Sequence, residues 1–412
     1  AAVVPLFGGA DISLFEAGRQ AGGRARALAG KDDGFSFLDN GQHILLGAYH
    51  GVQTLMQHIG VQPESAFLRQ PLRWYIHEGL QFQTASLPAP WHLLVGILHA
   101  KNLSFSLKIK LLSDMSALRR WAAHHKTDLT VAKWLRTRNI PRSLLGQFWQ
   151  PLVWGALNTP LEQASLRILC NVLNDGVWSE KANSDYLLPK QDLGRIVAEP
   201  ALDFLHKHGA KIHLETRVSH LNHHIDGRIE INGEIFDAVI LAVAPYHVDA
   251  LLPKDTPDYI QTAYQLLYYH AITTVYLRYA QAVKLPAPLT GFSDGTAQWV
   301  LHRGALGLPD NEVAVVISVS DCTEAWKDKD LAEKVHADIK RICPDLGKPE
   351  AVRIITERRA TTAATVDFVQ PDFSWLHHRR IYPAGDYLHP RYPATLEAAG
   401  PSGCPPGRKV IP

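Results

Sequence analysis

The sequence contains few cysteines, carries little net charge and has no long run of apolar residues. Its four cysteines are Cys170, Cys322, Cys343 and Cys404, and no two form a Cys-x-x-Cys pair. This scarcity argues against a disulfide framework or a zinc site and favours a reducing cytoplasm. A formal net charge of +2 gives no indication of nucleic acid as a partner. No apolar run approaches the ~20 residues of a membrane span, and no secretory signal peptide is recognisable.

The composition is typical of a globular protein with a well-buried core. Of 412 residues, 46% are hydrophobic and 20% are charged, and this length favours two domains. The 21 histidines include adjacent pairs at positions 124–125, 223–224 and 377–378. Adjacent side chains on a helix or strand point in different directions, so these pairs are poor chelates. We therefore predict no metal site from the sequence.

The most informative stretch lies between Ile12 and His43. A short apolar run ends at Glu16, where the second strand of a dinucleotide-binding unit carries the acid that binds the ribose hydroxyls. Gly22 and Gly23 allow close backbone approach to a pyrophosphate, and Arg24 offers it a cationic fork. A second glycine turn follows in Asp39–His43, with Gly41 and Gln42 at its centre. Together these features predict a bound, extended FAD.

One part of a dinucleotide-binding unit is missing from this stretch. A glycine-rich turn and a helix normally precede the acid-ending strand, and they meet the pyrophosphate charge. The gap from Val4 to Ile12 is too short, because such a crossover needs at least ~10–12 residues. We therefore expect a truncated N-terminal βαβ unit with weakened FAD binding.

Several motifs resemble one known family. Glu16-Ala17, Gly22-Gly23-Arg24 and Asn40-Gly41-Gln42-His43 are similar to the FAD-dependent amine oxidase and phytoene desaturase superfamily. Within it, the chain resembles the squalene-associated FAD-dependent desaturases, a subfamily also called hydroxysqualene dehydroxylases. That likeness rests on the strings LDNGQHILLG (38–47), WQPL (149–152), ALNTP (156–160), SDYLLP (184–189), AGDY (384–387) and YPATLE (392–397). It covers roughly residues 10–399.

The resemblance implies an α/β fold, with a Rossmann-like FAD-binding domain interleaved with an α+β substrate domain that carries an antiparallel sheet. The FAD-binding domain is expected at residues 1–65, 190–250 and 375–399, the substrate domain at 66–189 and 251–374, and a disordered tail at 400–412. The further cofactor-binding residues that the resemblance implies are Val218 beside the adenine, Gly385 and Asp386 beside the ribityl and pyrophosphate portion, and Thr395 and Leu396 at the start of a helix facing the isoalloxazine.

The resemblance also implies a reaction, the flavin-dependent reduction of hydroxysqualene to squalene in hopanoid or triterpenoid biosynthesis. It requires a polyprenoid lipid substrate and an electron donor that the sequence does not identify. No residue pattern identifies the proton donor. His43 and Tyr392 are candidates because their motifs are expected near the flavin ring. The alternatives are a carotenoid- or squalene-type desaturase, an amine oxidase-like enzyme, and an inactive remnant without FAD.

Periodicity predicts the main elements of the substrate domain. Helices are expected at 91–98 and 103–112, and helical structure at 118–168 with breaks at Pro141, Pro151 and Pro160. The second of these helices combines apolar residues with Lys108 and Lys110. This pattern is equally typical of a peripheral contact with the inner face of the membrane and of a helix that covers a substrate cavity.

The strands of this domain and of the FAD-binding domain follow from alternation and turn signals. Strands are expected at 211–214, 238–243, 271–279, 298–302, 313–319 and 352–356, and an amphipathic helix at 331–342. Residues 228–236 are expected to form a hairpin around Asn232-Gly233.

Overall fold

The computed structural model describes residues 10–28, 34–124, 127–366, 368 and 371–400. The segment in which the truncated unit is expected, residues 1–9, and the tail after Gly400 lie outside the described residues. Within the described ranges, no helix is both long enough and apolar enough to cross a membrane.

Seventeen strands are present in the described part of the chain, and most are short. They are β1 Ser13–Phe15, β2 Leu45–Leu46, β3 Phe67–Gln70, β4 Arg73–Tyr75, β5 Gln81–Gln83, β6 Tyr186–Pro189, β7 Lys211–His213, β8 Asn222–His223, β9 Ile229–Ile231, β10 Glu234–Phe236, β11 Val239–Leu241, β12 Tyr269–Arg278, β13 Leu289–Gly291, β14 Trp299–His302, β15 Glu312–Ser318, β16 Ala351–Thr362 and β17 Ile381–Pro383.

The α-helices concentrate between β5 and β6, with shorter helices in the rest of the described chain. They are α1 His50–His58, α2 Pro63–Ala66, α3 Trp91–Leu98, α4 Phe105–His124, α5 Val131–Thr137, α6 Arg142–Leu144, α7 Gln150–Leu157, α8 Leu166–Leu173, α9 Glu199–Lys207, α10 Asp258–Gln265, α11 Leu331–Ile342, α12 Ser374–His378 and α13 Leu396–Ala399.

The largest sheet has five antiparallel strands in the order β13-β14-β15-β12-β16. β12 is the strand with the most extensive pairing in this sheet, since it pairs with β15 from Ile272 to Arg278 and with β16 along its whole length. The pairing with β16 is irregular between His270 and Ile272. A buried aliphatic cluster that includes Val275, Val315 and Val335 packs α11 against this sheet.

Two parallel strand pairs lie outside that sheet. β1 pairs with β7, and β11 pairs with β17. Parallel pairs need long crossover connections, and here the connections run through the helical and antiparallel parts of the chain. The described fold is therefore the predicted α/β fold with an antiparallel sheet. The boundaries proposed for the two domains stay a prediction.

Local chemistry explains where the elements were predicted well and where they were not. Asn232 and Gly233 have φ values of +50° and +87°, as a two-residue type I′ hairpin requires. The helix expected at 91–98 is α3. The break expected at Pro151 is wrong. A π-helical turn, Leu145–Trp149, runs directly into α7, so the helix continues through Pro151. Proline has no N–H for the carbonyl four residues earlier, and that carbonyl, on Gln147, accepts a 2.9 Å hydrogen bond from the Trp74 indole.

A buried arginine fastens the segment before the second glycine turn to the large sheet. The Arg303 side chain is fully buried, and its guanidinium lies 3.1 Å from the Glu312 carboxylate. It donates a 2.8 Å hydrogen bond to the Phe37 carbonyl, and Glu312 accepts hydrogen bonds from the amide and hydroxyl of Ser36. Burial lowers the pKa of Arg303 despite the neighbouring Glu312 carboxylate. The ion pair thus holds residues 36–37 against the large sheet, immediately before the turn formed by residues 39–43.

Candidate flavin site

Glu16 lies directly after β1, at the carboxyl end of the parallel pair that β1 forms with β7. Its amide donates to the His213 carbonyl, which extends the pairing by one residue. Its carboxylate Oε1 accepts a 2.6 Å hydrogen bond from the Gly18 amide, so the side chain folds over the start of the following turn. This position at the end of a parallel strand is the one expected of a ribose-binding acid. Whether Glu16 binds ribose stays a prediction.

Gly22 and Gly23 form a tight turn that side chains would disturb. Gly22 has a φ of +110° and Gly23 a φ of +58°, and the Ala25 amide donates back to the Gly22 carbonyl. A Cβ atom on Gly22 would lie 2.6 Å from the Ala25 carbonyl oxygen, whereas a Cβ on Gly23 would meet only open space. The turn therefore exposes its backbone beside Gly23, as a pyrophosphate site requires.

Arg24 joins this turn to the C-terminal part of the chain. Its guanidinium donates a 2.7 Å hydrogen bond to Asp386 and another to the Ala360 carbonyl. Burial lowers the pKa of Arg24, but Asp386 outweighs it, and the net pKa is raised. Two of the predicted cofactor residues, Arg24 and Asp386, are thus in direct contact although 362 positions separate them.

Tyrosines from the large sheet and a neighbouring turn surround this ion pair. Burial and Tyr246 raise the pKa of Tyr269 to about 12, while Arg24 and Arg359 oppose that shift. The Arg359 guanidinium stacks 4.2 Å from the centre of the Tyr246 ring. Tyr269 and Tyr246 were not predicted from the sequence, because no local motif distinguishes them from other sheet and turn tyrosines.

The second glycine turn is held by contacts to β12 and by a buried carboxylate. The Gln42 amide donates to the Thr274 hydroxyl, and the Tyr276 hydroxyl donates to the Asp39 carbonyl. The Asp39 side chain is buried, and its Oδ2 lies 3.3 Å from His43 Nδ1. Gln42 and His43 were predicted from the sequence, but Thr274 was not. The alternating apolar pattern of β12 does not distinguish Thr274 from the other residues of the strand.

The last predicted segment begins at the end of β17. The Ala384 amide donates to the Leu241 carbonyl of β11, so Gly385 and Asp386 follow a paired strand. Further on, the Thr395 hydroxyl caps α13 by accepting from the Ala398 amide. Leu396 packs in a hydrophobic cluster with the helix α1.

Glu397 connects α13 to α1 more directly. Its carboxylate accepts hydrogen bonds of 2.9 and 3.0 Å from the Gly51 and Val52 amides. Both amides belong to the first turn of α1, where backbone donors lack helical partners and negative charge is favourable. Glu397 therefore fixes the position of α13 relative to α1, a role that the sequence did not indicate.

Tyr392 and Val218 lie in other surroundings. The Tyr392 hydroxyl donates a 2.5 Å hydrogen bond to Asp175, and its ring stacks on His389 at 4.6 Å. Burial and Asp175 raise the pKa of Tyr392 to about 12. Val218 packs in the cluster that contains Phe15, beside β1 and outside any strand. Its predicted contact with adenine stays a prediction.

These residues fit an extended dinucleotide such as FAD. The Tyr269 hydroxyl and Gln42 Oε1 are buried and have no hydrogen-bond partner within the described ranges. A buried polar atom without a partner costs about 1–3 kcal/mol, and the polar groups of a bound cofactor can supply such partners. The open backbone at Gly23 adds space for a phosphate. The cofactor-binding roles predicted from the sequence stay predictions, and Tyr269 joins them because of its hydroxyl without a partner.

A separate cavity of about 610 Å³ lies between α7 and the residues that follow β13 and β15. Its wall combines the rings of Trp154, Phe292 and Trp299 with the charged groups of Asp328 and Lys334. None of the predicted cofactor residues lines it.

Two bacterial enzymes resemble this chain along most of its length. The hydroxysqualene dehydroxylase of Zymomonas mobilis subsp. mobilis is 25% identical over 437 residues, covering 98% of this chain and 94% of that protein. The hydroxysqualene dehydroxylase of Rhodopseudomonas palustris is 27% identical over 416 residues, covering 96% and 91%. Among solved structures, cyclohexylamine oxidase from Brevibacterium oxydans superposes with a TM-score of 0.68 at 13% identity, covering 96% and 92%, which confirms the fold.

The family model described as flavin containing amine oxidoreductase matches residues 7–405. This match agrees with the glycine turn, the strand-ending acid and the carboxyl-terminal Gly385-Asp386 segment found above. It confirms the predicted cofactor, a flavin in the form of FAD, and the oxidoreductase class. Since the match spans nearly all of the 412 residues, the chain belongs to the flavin-containing amine oxidoreductase family.

Proposed function

We propose that this chain reduces hydroxysqualene to squalene with FAD as the redox cofactor. The observation that carries the proposal is the similarity over 96–98% of the chain to two hydroxysqualene dehydroxylases. The motif strings at residues 38–47 and 392–397 suggested this subfamily from the sequence. Hopanoid or related triterpenoid synthesis is the process that such a product serves.

The protein groups of the site have defined tasks in this reaction. Glu16, the Gly22-Gly23 turn and Asp386 would hold the cofactor, and reduced FAD would supply hydride to the allylic carbon of the substrate. The substrate loses its hydroxyl as water, so one proton must be donated for each hydride that is transferred. An external electron donor must restore the reduced cofactor after each turnover.

We assign the proton donation to His43 and not to Tyr392. The His43 side chain is 29% exposed, and Asp39 faces its Nδ1, an arrangement that orients the imidazole and leaves Nε2 as the ring nitrogen that can face a substrate. The Tyr392 proton is already donated to Asp175, and a pKa of about 12 makes this phenol a weak acid near neutral pH. The buried Asp39 acts as the positioning residue for His43.

The helices α3 and α4 provide a surface that we propose contacts the membrane holding the lipid substrate. Trp91, Phe105 and Ile109 are 58%, 71% and 46% exposed. The lysines that suggested a cationic edge have other partners: Lys108 donates to the Leu98 carbonyl, and Lys110 to Asp114. The proposed contact is therefore mainly apolar, with aromatic rings of the kind that favour membrane interfaces.

The conversion itself is the first test. The chain, loaded with excess FAD and reduced anaerobically with dithionite, is expected to convert hydroxysqualene to squalene, measured by gas chromatography with mass detection. A matched incubation without reductant should yield no squalene. Oxidation of phytoene or of an amine, with hydroxysqualene left unchanged, would overturn the proposal.

The donor assignment predicts different effects for two conservative substitutions. His43→Gln removes the acid and should lower kcat by about 10²–10⁴-fold, with flavin content unchanged. Tyr392→Phe removes only the hydroxyl bound to Asp175 and should keep most of the activity. Steady-state kinetics on flavin-saturated variants measure both values of kcat. A larger loss of kcat in Tyr392→Phe than in His43→Gln would make Tyr392 the donor.

Cofactor binding is tested by Arg24→Ala, which removes the contact between the glycine turn and Asp386. Charge-assisted hydrogen bonds contribute about 1.5–3 kcal/mol, so the dissociation constant for FAD should rise about tenfold to a hundredfold. Quenching of flavin fluorescence measures it, and the melting temperature of the apoprotein separates binding from folding. Arg19→Ala is the control, since Arg19 is exposed and pairs with Glu215. Equal affinity in both variants would remove Arg24 from the site.

Membrane contact is tested with vesicles. The double variant Trp91→Ser/Phe105→Ser should co-sediment less with liposomes, by about tenfold to a hundredfold for each apolar side chain that the membrane buries. Tyr259→Ser, an exposed aromatic on α10, is the control. If the double variant and the control bind vesicles as the parent does, the surface formed by α3 and α4 is not the contact.

A further inference from the structure

Three side chains of the types that bind metals converge at the start of β12, where Tyr269 of the candidate flavin site is the neighbouring residue. They are the buried His270, the half-buried Asp321 and the exposed Cys322. His270 is the second residue of β12, the central strand of the large sheet, and the other two follow β15. Asp321 and Cys322 are adjacent but lie about 50 positions after His270, so no local motif indicates the cluster.

The three donor atoms form a nearly regular triangle. His270 Nδ1 lies 3.0 Å from Asp321 Oδ2 and 3.6 Å from Cys322 Sγ, and Sγ lies 3.7 Å from Oδ2. A Zn²⁺ ion with tetrahedral bonds of about 2.0, 2.1 and 2.3 Å to nitrogen, oxygen and sulfur separates such atoms by about 3.3–3.6 Å. The observed triangle thus matches one face of a zinc coordination tetrahedron to within a few tenths of an ångström.

Outer contacts already orient two of the three side chains. His270 Nε2 lies 3.2 Å from Gln163 Oε1, and Asp321 Oδ1 accepts a 2.9 Å hydrogen bond from the Ala271 amide. The atoms left facing each other are Nδ1 and Oδ2, the ones that would bind a metal. Supporting hydrogen bonds of this kind are the usual outer shell of a zinc-binding histidine and carboxylate.

The contacts of His270 leave one ring nitrogen for a metal. Nε2 faces the Gln163 side chain and Nδ1 faces the Asp321 carboxylate. An imidazole whose Nε2–H donates to Gln163 carries its lone pair on Nδ1, the atom that faces Asp321 and Cys322.

We propose that His270, Asp321 and Cys322 bind one Zn²⁺ ion. The exposed Cys322 leaves the fourth coordination position facing solvent, where water completes the tetrahedron. The ion joins the first residues of β12 to the segment after β15. It thereby fixes the position of β12, the strand that contributes Tyr269 and Thr274 to the candidate flavin site. This proposal departs from the sequence-based expectation of no metal site, which considered only adjacent histidines and cysteine spacing.

The test uses the full chain and two single substitutions. After EDTA treatment, Co²⁺ is titrated as a spectroscopic probe, followed by Zn²⁺ competition and metal analysis of dialysed protein. The parent should bind one equivalent of Co²⁺ with a thiolate-to-metal absorption band. Cys322→Ser should lose that band and bind more than about 100-fold more weakly, since even an outer-shell partner is worth about 10–100-fold. Cys343→Ser is the matched control, because that thiol donates to the Lys284 carbonyl outside the cluster.

A second readout addresses folding. Zn²⁺ should raise the melting temperature of the EDTA-treated parent and of Cys343→Ser, but not that of Cys322→Ser, and should protect one thiol of the parent from a thiol reagent. Absence of a thiolate band in the parent, or equal Co²⁺ affinity in the parent and Cys322→Ser, would overturn the proposal and leave the three side chains as a hydrogen-bonded cluster.

Discussion

The contact between Arg24 and Asp386 is the interaction on which the flavin site depends. It joins the glycine turn after β1 to the carboxyl end of β17, although β1 and β17 belong to separate two-stranded sheets in the described structure. The Asp386 side chain is only 10% exposed, so a carboxylate without its arginine would keep much of the cost of leaving water. That cost reaches about 3–5 kcal/mol for fully buried pairs and is smaller here, because Arg24 is one-third exposed.

The second glycine turn depends on a different device, the central strand of the antiparallel sheet. Thr274 and Tyr276 are two positions apart, so they project on the same side of β12. They bind the Gln42 amide and the Asp39 carbonyl, respectively. The sheet therefore supplies the rigid surface on which a loop with few contacts of its own acquires a fixed shape. The carboxylate of Asp39 in turn orients the His43 ring through its contact with Nδ1.

The sequence predicted the features that depend on local chemistry. The hairpin at Asn232-Gly233, the helix α3 and the acid at the end of β1 each follow from propensity, periodicity or a short motif. It could not predict Thr274, Tyr269 or the partner of Tyr392, because each is defined by a contact between residues more than 200 positions apart. Pro151 was misread for a related reason, because the Gln147 carbonyl four residues before it binds Trp74, a residue 73 positions away.

The irregular start of β12 shows how one strand serves two sites. Between His270 and Ile272 the pairing with β16 shifts, and the Ala271 amide binds the Asp321 carboxylate instead of a strand carbonyl. Such irregularities redirect side chains and often occur beside functional sites. Tyr269 and His270 are neighbours in the strand and project to opposite sides, one toward the surroundings of Arg24 and the other toward Asp321. Any ligand that immobilises His270 therefore also restricts the position of Tyr269, which couples the proposed metal site to the flavin site through a single peptide unit.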